Sequence, residues 1–258
     1  MQITILGSGN SSGTPALDYG WGKCDPANPR NRRLRPSILV SDGDIQVLVD
    51  TSPDLREQAL RADIHQLDAV IFTHAHADHL HGIDDLRPLN RAMKRAIDIY
   101  ADQPTLAEIQ RRFGYVLEPL SDGNDSYYKP VLIPHEIAAG EQFHIRDMPI
   151  TVFGQDHGFG ETLGLRFGPF AYSTDVTGLD EAAFGALDGV RLWVIGTLTE
   201  QPHPTHAHVE KALEWIERVG PERAVLTHLS ASLDYETLRA KLPGNVQPAF
   251  DGMVLEVA

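Results

Sequence analysis

Residues 68–79 read DAVIFTHAHADH, an apolar run from Asp68 to Phe72 followed by four side chains able to ligate a metal: His74, His76, Asp78 and His79. In a strand, side chains alternate between faces, so His79 would point away from the other three. An irregular turn directly after the apolar run breaks that alternation and lets all four converge. Buried imidazoles and carboxylates lose hydration, so this density is costly unless something cationic sits among them. The competing reading is a polar loop of individually satisfied histidines.

Farther along the chain, three isolated residues stand in the same position relative to an apolar run. His157 follows the run ending near Phe153, Asp175 closes Ala171 to Thr174, and His228 ends Ala224 to Thr227. Taken singly, each reads as a loop residue or cap. Together with the first cluster they supply enough ligands for two metals. Imidazole and carboxylate without thiolate suit Zn or Mn, and also admit Fe or Ni. Two adjacent divalent ions can hold a hydroxide between them and neutralise an attacked phosphoryl group. A thioester or β-lactam carbonyl would use the same hydroxide, so metals alone do not choose the substrate.

Strand-like runs recur around these positions: Gln2 to Leu6, Ser37 to Val40, Ile45 to Val49, Ala69 to Thr73, Ile97 to Tyr100, Ile150 to Phe153, Leu163 to Phe167, Arg191 to Ile195, Ala224 to Thr227 and Met253 to Val257. Helical patterns occupy Asp54 to Ala62, Leu80 to Arg95, Thr105 to Phe113, Glu181 to Leu187 and Ala207 to Val219, the last stopped by Gly220-Pro221. Helices that do not alternate one for one with strands point to a layered α/β domain with antiparallel portions, not a doubly wound nucleotide fold. Segments Asn10 to Pro36 and Pro119 to Pro130 are rich in turn formers and read as long loops. No repeat or linker divides the chain, so a single domain over residues 1–258 is expected.

The chain has 22 Lys and Arg against 36 Asp and Glu, a formal net charge of −14, which opposes extended nucleic-acid binding. Residues 1–50 hold five of each sign, so the whole excess lies beyond them; Arg30, Arg32, Arg33 and Arg35 form the densest basic cluster. A lone cysteine, Cys24, permits no intrachain disulfide. The start MQITILGSGNSSG lacks the features of a secretory signal, and no apolar run approaches membrane-span length. A soluble, cytoplasmic protein without membrane partners is expected, and a homodimer is left open.

The pattern His74-x-His76-x-Asp78-His79 with later His157, Asp175 and His228 resembles the metallo-β-lactamase superfamily of binuclear hydrolases. The resemblance implies an αββα sandwich of two mixed sheets with external helices and metals in a cleft at one sheet edge. It also implies His74, His76 and His157 on one metal, Asp78, His79 and His228 on the other, and Asp175 bridging. Further segments, Leu6-Gly7-Ser8-Gly9 through Ser12-Gly13-Thr14-Pro15, Asn31-x-Arg33-x-Arg35-x-Ser37, His203-Pro204-Thr205-His206 and Thr227-His228-Leu229-Ser230, are similar to the phosphoribosyl cyclic phosphate phosphodiesterases of bacterial phosphonate breakdown by the carbon-phosphorus lyase pathway. That branch implies hydrolysis of phosphoribosyl 1,2-cyclic phosphate to ribose 1,5-bisphosphate, with action on 2′,3′-cyclic nucleotides. Some members add a structural zinc held by clustered cysteines and a histidine three residues after the last metal histidine. Here those places hold Trp21 to Pro26, with Cys24 alone, and Ala231. A closed tetrahedral zinc site needs four ligands, so no structural zinc is expected at Cys24, and packing and hydrogen bonds are expected to hold the loop.

In that branch the histidine of the Pro-Thr-His segment assists catalysis, which makes His206 the expected general acid beside Asp78 and Asp175, with Thr205 an N-cap for the following helix. A helix-start surface histidine is the competing reading; His208, and less so His203, are its rivals. Arg33 and Arg35, two apart, face one side of an extended chain and can grip a small anionic cyclic phosphodiester or form a purely structural ion pair. Ser230 reads as a polar loop member beside His228, within reach of substrate. Ser11, Ser12, Ser230 and Ser232 lack the G-x-S-x-G elbow of serine hydrolases. Rival functions are a thioesterase or lactonase, a tRNA-processing nuclease, and a non-enzymatic binding or sensor protein on the same scaffold.

Overall fold

The computed structural model describes residues 1–121 and 126–258. Six strands, β1 (Gln2–Gly7), β2 (Ser37–Asp42), β3 (Ile45–Val49), β4 (Ala69–Ile71), β5 (Ile97–Ala101) and β6 (Leu132–Glu136), follow one another. Seven more come next: β7 (Gln142–Ile145), β8 (Met148–Asp156), β9 (Glu161–Phe167), β10 (Phe170–Ser173), β11 (Leu192–Gly196), β12 (Arg223–Thr227) and β13 (Val246–Pro248). The last strand, β14 (Val254–Glu256), returns to β1 and completes a seven-stranded sheet ordered β14-β1-β2-β3-β4-β5-β6; the second, also seven-stranded, runs β13-β12-β11-β10-β9-β8-β7. Both are mixed: antiparallel from β14 to β3 and from β7 to β10, parallel from β3 to β6 and from β10 to β13.

Strand alternation assigns the layers. In β2, Ile38 and Val40 enter a core shared with Val152, Leu165 and Val194 of the other sheet, while Leu39 turns outward to pack with Leu48, Val70 and Leu55. In β11, Leu192 and Val194 face that shared core, while Trp193 and Ile195 pack outward with Ala183, Leu187, Ala212 and Ile216. Central strands buried on both faces carry nearly continuous apolar runs. The outer faces lie under α1 (Leu55–Arg61), α2 (Ala77–Leu80), α3 (Arg87–Met93) and α4 (Gln103–Phe113) on one side and α5 (Glu181–Leu187), α6 (Val209–Val219) and α7 (Tyr235–Arg239) on the other. The result is the expected αββα sandwich with external helices.

Three local expectations need correction. The helix expected over Leu80 to Arg95 is broken into α2, a 3-10 turn at Ile83–Leu86, and α3. A Cβ on Gly82 would lie 2.0 Å from the Ser52 carbonyl oxygen, so the chain there is pressed against a neighbouring loop, and Pro88 in the first turn of α3 restarts the helix. The second correction concerns Thr205, which does not cap α6. Ala207 N–H donates to the Val176 carbonyl at 2.6 Å and His208 pairs with Thr199, so this segment stays extended and His208 is the N-cap residue. The third is β6, β7 and β13, which the apolar runs do not announce. All three are sheet edges, with partly exposed patterns and prolines at Pro134 and Pro248. The expected loop Pro119 to Pro130 includes residues 122–125, which lie outside the described residues.

Candidate metal centre

Each chemically distinctive side chain leaves the C-terminal end of a strand. His74 follows β4; His76 stands before α2, and Asp78 and His79 lie in its single turn. His157 follows β8, Asp175 follows β10 and His228 follows β12. Asp175 (φ 49°) and His228 (φ 58°) adopt left-handed backbone conformations, as does Asp50 (φ 64°) after β3. Such conformations cost a non-glycine residue about 1 kcal/mol each. Three of them at strand ends of the two sheets, around the same donor atoms, mark a place where backbone preference yields to side-chain position.

The donor atoms form two groups. One ligand atom from each of His74, His76, His157 and Asp175 lies within 4.8 Å of the others, and so do atoms from Asp78, His79, Asp175 and His228. Asp175 belongs to both through different oxygens. Its Oδ2 is 3.5 Å from His74 Nε2 and 3.6 Å from His157 Nε2; its Oδ1 is 3.3 Å from His79 Nε2 and 3.0 Å from His228 Nε2. Asp78 Oδ2 closes the second group, 3.4 Å from His79 Nε2 and 3.5 Å from His228 Nε2. Ligands held about 2.1 Å from a common tetrahedral ion are separated by about 3.4 Å, so this spacing fits divalent ions.

Hydrogen bonding leaves the inward-facing nitrogens free. His79 Nδ1–H donates to Asp50 Oδ2 at 2.6 Å, and His157 Nδ1–H donates to the Thr205 carbonyl at 2.7 Å. The Thr73 hydroxyl donates to the Asp50 carboxylate at 2.9 Å, so it accepts from His74 Nδ1–H at 3.0 Å. The outer partner fixes each tautomer, a recurring device at metal-binding histidines. Nε2 of His74 and His79, and both ring nitrogens of His228, are buried without a hydrogen-bond partner. Buried polar atoms are rarely left so, and a cation would account for the three Nε2 atoms, which face the carboxylates. Charge agrees. Although burial opposes ionisation, His79 and His228 hold Asp78 and Asp175 well below the usual carboxylate range. Burial drives His74 well below an ordinary imidazole; it acts the same way on His79, but Asp175, Asp78 and Asp50 outweigh it and hold that ring well above. Carboxylates packed among imidazoles, one of which they otherwise drive to carry a proton, suit divalent cations.

A family model for the beta-lactamase superfamily domain matches residues 46–229. The chain belongs to that superfamily. Within the superfamily it also falls in the PhnP family: the crystal structure of a new diphosphatase from the PhnP family is 33% identical, with a TM-score of 0.88, 98% of this chain and 96% of that one being covered. An octanoyltransferase of Porphyromonas gingivalis is 34% identical over 257 residues, 98% of this chain but 51% of its own length. The chain spans about half the length of the curated relatives it matches. The Zn(2+)-bound PqqB from Methylobacterium extorquens, 21% identical with a TM-score of 0.75 over 100% of both chains, shares the fold. Sandwich and paired His/Asp groups together give this superfamily member donors for two divalent ions.

His206 adjoins the centre, its Nε2 3.3 Å from Asp175 Oδ2 and its ring 4.9 Å from that of His157 and 5.0 Å from that of His228. Its Nδ1 contacts Thr205 Oγ1 at 2.7 Å. His206 and ligand-capable residues of both groups line a cavity of about 570 Å³, whereas Arg33, Arg35, His208 and Ser230 do not. Those four expected substrate contacts are corrected. Arg33 is buried, its Nη1 donating to the Ser230 carbonyl at 3.0 Å and its Nη2 to the Leu233 carbonyl at 2.7 Å. Arg35 forms a two-point ion pair with Asp54, at 2.9 and 2.7 Å. The structural ion pair expected as the alternative is what Arg35 forms, whereas Arg33 is structural through backbone carbonyls. His208 is held at the start of α6, and Ser230 Oγ meets Ser232 Oγ at 2.7 Å.

The Cys24 loop is held as expected by packing and hydrogen bonds. Its thiol lies 3.5 Å from the Ala231 and Leu233 carbonyls and 3.8 Å from Arg33 Nη1, and Lys23 N–H donates to the Ala231 carbonyl. Burial pushes the thiol up, keeping it protonated and a poor ligand. Sequence reasoning missed Asp50, which orients both His79 and Thr73. Its signal was available: a carboxylate directly after the apolar run Ile45 to Val49, the position that identifies Asp175.

Proposed function

We propose that this protein is a binuclear hydrolase that opens a small cyclic phosphodiester, with phosphoribosyl 1,2-cyclic phosphate, to which the sequence resemblance points, as the concrete candidate. The observation that carries the reading is Asp175, which turns one oxygen to each donor group and has His206 at its edge. In this reading His74, His76 and His157 hold one ion, Asp78, His79 and His228 the other, and Asp175 both. Two bound divalent ions would supply charge neutralisation at phosphorus and activation of water. Asp50 and the Thr205 carbonyl fix the imidazoles through their outer nitrogens. His206, partly exposed to the cavity, donates a proton to the departing sugar oxygen as the ester bond breaks.

The single domain works on a small molecule: a net charge of −14 disfavours an extended polynucleotide. Among the described residues no helix is long and apolar enough to cross a membrane; with one unpaired cysteine, we place the protein in the cytoplasm. The diphosphatase name carried by a 33% identical relative favours a second reading, cleavage of a phosphoanhydride by the same attack of water on phosphorus. The deciding experiment loads the protein with Zn or Mn, measures metal content, and compares cyclic phosphodiesters, linear phosphodiesters, diphosphates, thioesters and lactones. A preference for the cyclic diesters is expected; faster turnover of thioesters or lactones would overturn the reading.

A further inference from the structure

The cavity in front of the donor groups is larger than a phosphate and its sugar ring need, and its outer wall has a distinct chemistry. Among the described residues that line it there is neither Arg nor Lys, while Asp102, Glu108 and Glu161 stand at its rim. Arg112, next to the wall, is engaged by Glu108 and the Ala75 carbonyl. A second phosphate on the substrate would find no cation there and would meet carboxylates instead. At the same mouth Phe159 is 93% exposed, so both faces of its ring are open to a ligand in the cavity.

The backbone fixes the point from which that side chain leaves the chain. Phe159 lies between two glycines in a tight turn closed by His157 N–H donating to the Gly160 carbonyl at 2.8 Å. Gly158 has φ +82°, and a Cβ there would lie 2.4 Å from the Pro204 carbonyl oxygen. The turn is thereby pressed against the segment that carries His206, and His157 Nδ1 is tied to the next carbonyl of that segment, Thr205. An exposed aromatic whose backbone is anchored beside the reacting groups can present a face on which a planar group stacks.

We propose that Phe159 is a specificity-determining platform for the distal part of the substrate, and that this part is an uncharged planar ring such as a nucleobase, not a second phosphate. The inference rests on the phosphodiesterase reading for its substrate class and favours 2′,3′-cyclic nucleotides over phosphoribosyl 1,2-cyclic phosphate. The test uses metal-loaded wild type, Phe159→Ala and Phe159→Trp with both substrates. For 2′,3′-cyclic AMP, Phe159→Ala should raise KM about tenfold with little change in kcat, the scale of losing one base-aromatic stack; Phe159→Trp should restore it. The base-free substrate should show no change. Equal effects on both substrates, or none on either, would overturn the proposal. Equilibrium binding of AMP and ribose 5-phosphate keeps it separate from the reaction. If no diester is turned over, yet AMP binds more tightly than ribose 5-phosphate and loses that advantage in Phe159→Ala, the platform stands and the phosphodiesterase reading fails. Equal affinity for the two ligands in wild type overturns the platform itself.

Discussion

The loop after β12 borders two buried polar clusters of opposite character. On one side His228 joins the His/Asp groups, where inward imidazole nitrogens have no partner. On the other, the Ser230 and Leu233 carbonyls converge on Arg33, whose terminal nitrogens are both engaged and whose Nε alone is unpaired. The first cluster is a set of imidazole and carboxylate donors that converge as metal ligands would. The second contains its own cation, the Arg33 guanidinium. A metal site and a permanently charged knot can thus occupy neighbouring loops, distinguished by which atoms are left without a partner.

Removing the shared carboxylate should break the first cluster most severely. Asp175→Ala takes one donor from each group at once, so we expect metal affinity to fall by more than the 10- to 100-fold, roughly, that an outer partner contributes. Metal analysis after reconstitution should find both ions lost or scrambled and turnover abolished; unchanged occupancy would remove Asp175 from the ligand set. His206→Ala should leave both ions and the fold intact yet slow an alkyl cyclic diester by about 10² to 10⁴. A nitrophenyl ester should lose much less, because that leaving oxygen needs little protonation; equal proportional losses would reject the general-acid role. Asp50→Asn should come next, with metal affinity down about 10- to 100-fold, since an amide cannot hold the His79 ring and the Thr73 hydroxyl as a carboxylate does.

The second cluster should respond in stability instead. Arg33→Met leaves two buried carbonyls facing an apolar chain, and unfolding free energy should drop by about 3 kcal/mol. Metal content and kcat per folded molecule should stay at wild-type values. Cys24→Ser should likewise retain both ions. A third bound zinc that disappears in Cys24→Ser would show that the Cys24 loop does hold a metal.

These contrasts also mark what the sequence makes legible. The donor residues announce themselves because a turn after an apolar strand is a costly place for several imidazoles, and the central strands announce themselves because both faces are buried. Edge strands β6 and β7 are hidden by their partly exposed patterns, and β6 and β13 also by a proline in each. Arg33 and Arg35 mislead for a different reason. Spacing fixes which face a side chain leaves from, but the partners Ser230, Leu233 and Asp54 lie far along the chain or on another element. Asp50 was readable by the rule that found Asp175, whereas Phe159 in a Gly-Phe-Gly turn carries no ligand chemistry that a search for metal donors would notice.

Asp251 sharpens the comparison with the smallest expected effect, because it is a buried carboxylate whose hydrogen-bond donors are all uncharged. Its carboxylate accepts from Ser8 N–H at 2.9 Å, Ser8 Oγ–H at 2.8 Å and Leu34 N–H at 2.7 Å. Burial nevertheless outweighs these donors and pushes the group up to about 6. The unfolded chain releases this proton near pH 3.9, so between about pH 4 and pH 6 the folded protein keeps a proton that the unfolded chain has lost. Its contribution to stability is therefore fully present below about pH 4 and is lost as pH rises through 6, a span of about 3 kcal/mol at most. Asp251→Asn has no such titration. The unfolding free energy of wild type minus that of the variant, measured on metal-free protein from pH 4 to 7.5, should fall with rising pH and level off above about 6.5. Subtraction cancels the histidine and carboxylate titrations common to both proteins. A flat difference curve would mean that three fixed dipoles suffice to hold a buried carboxylate, and the requirement for a cation in the His/Asp groups would then rest on their unpartnered nitrogens alone.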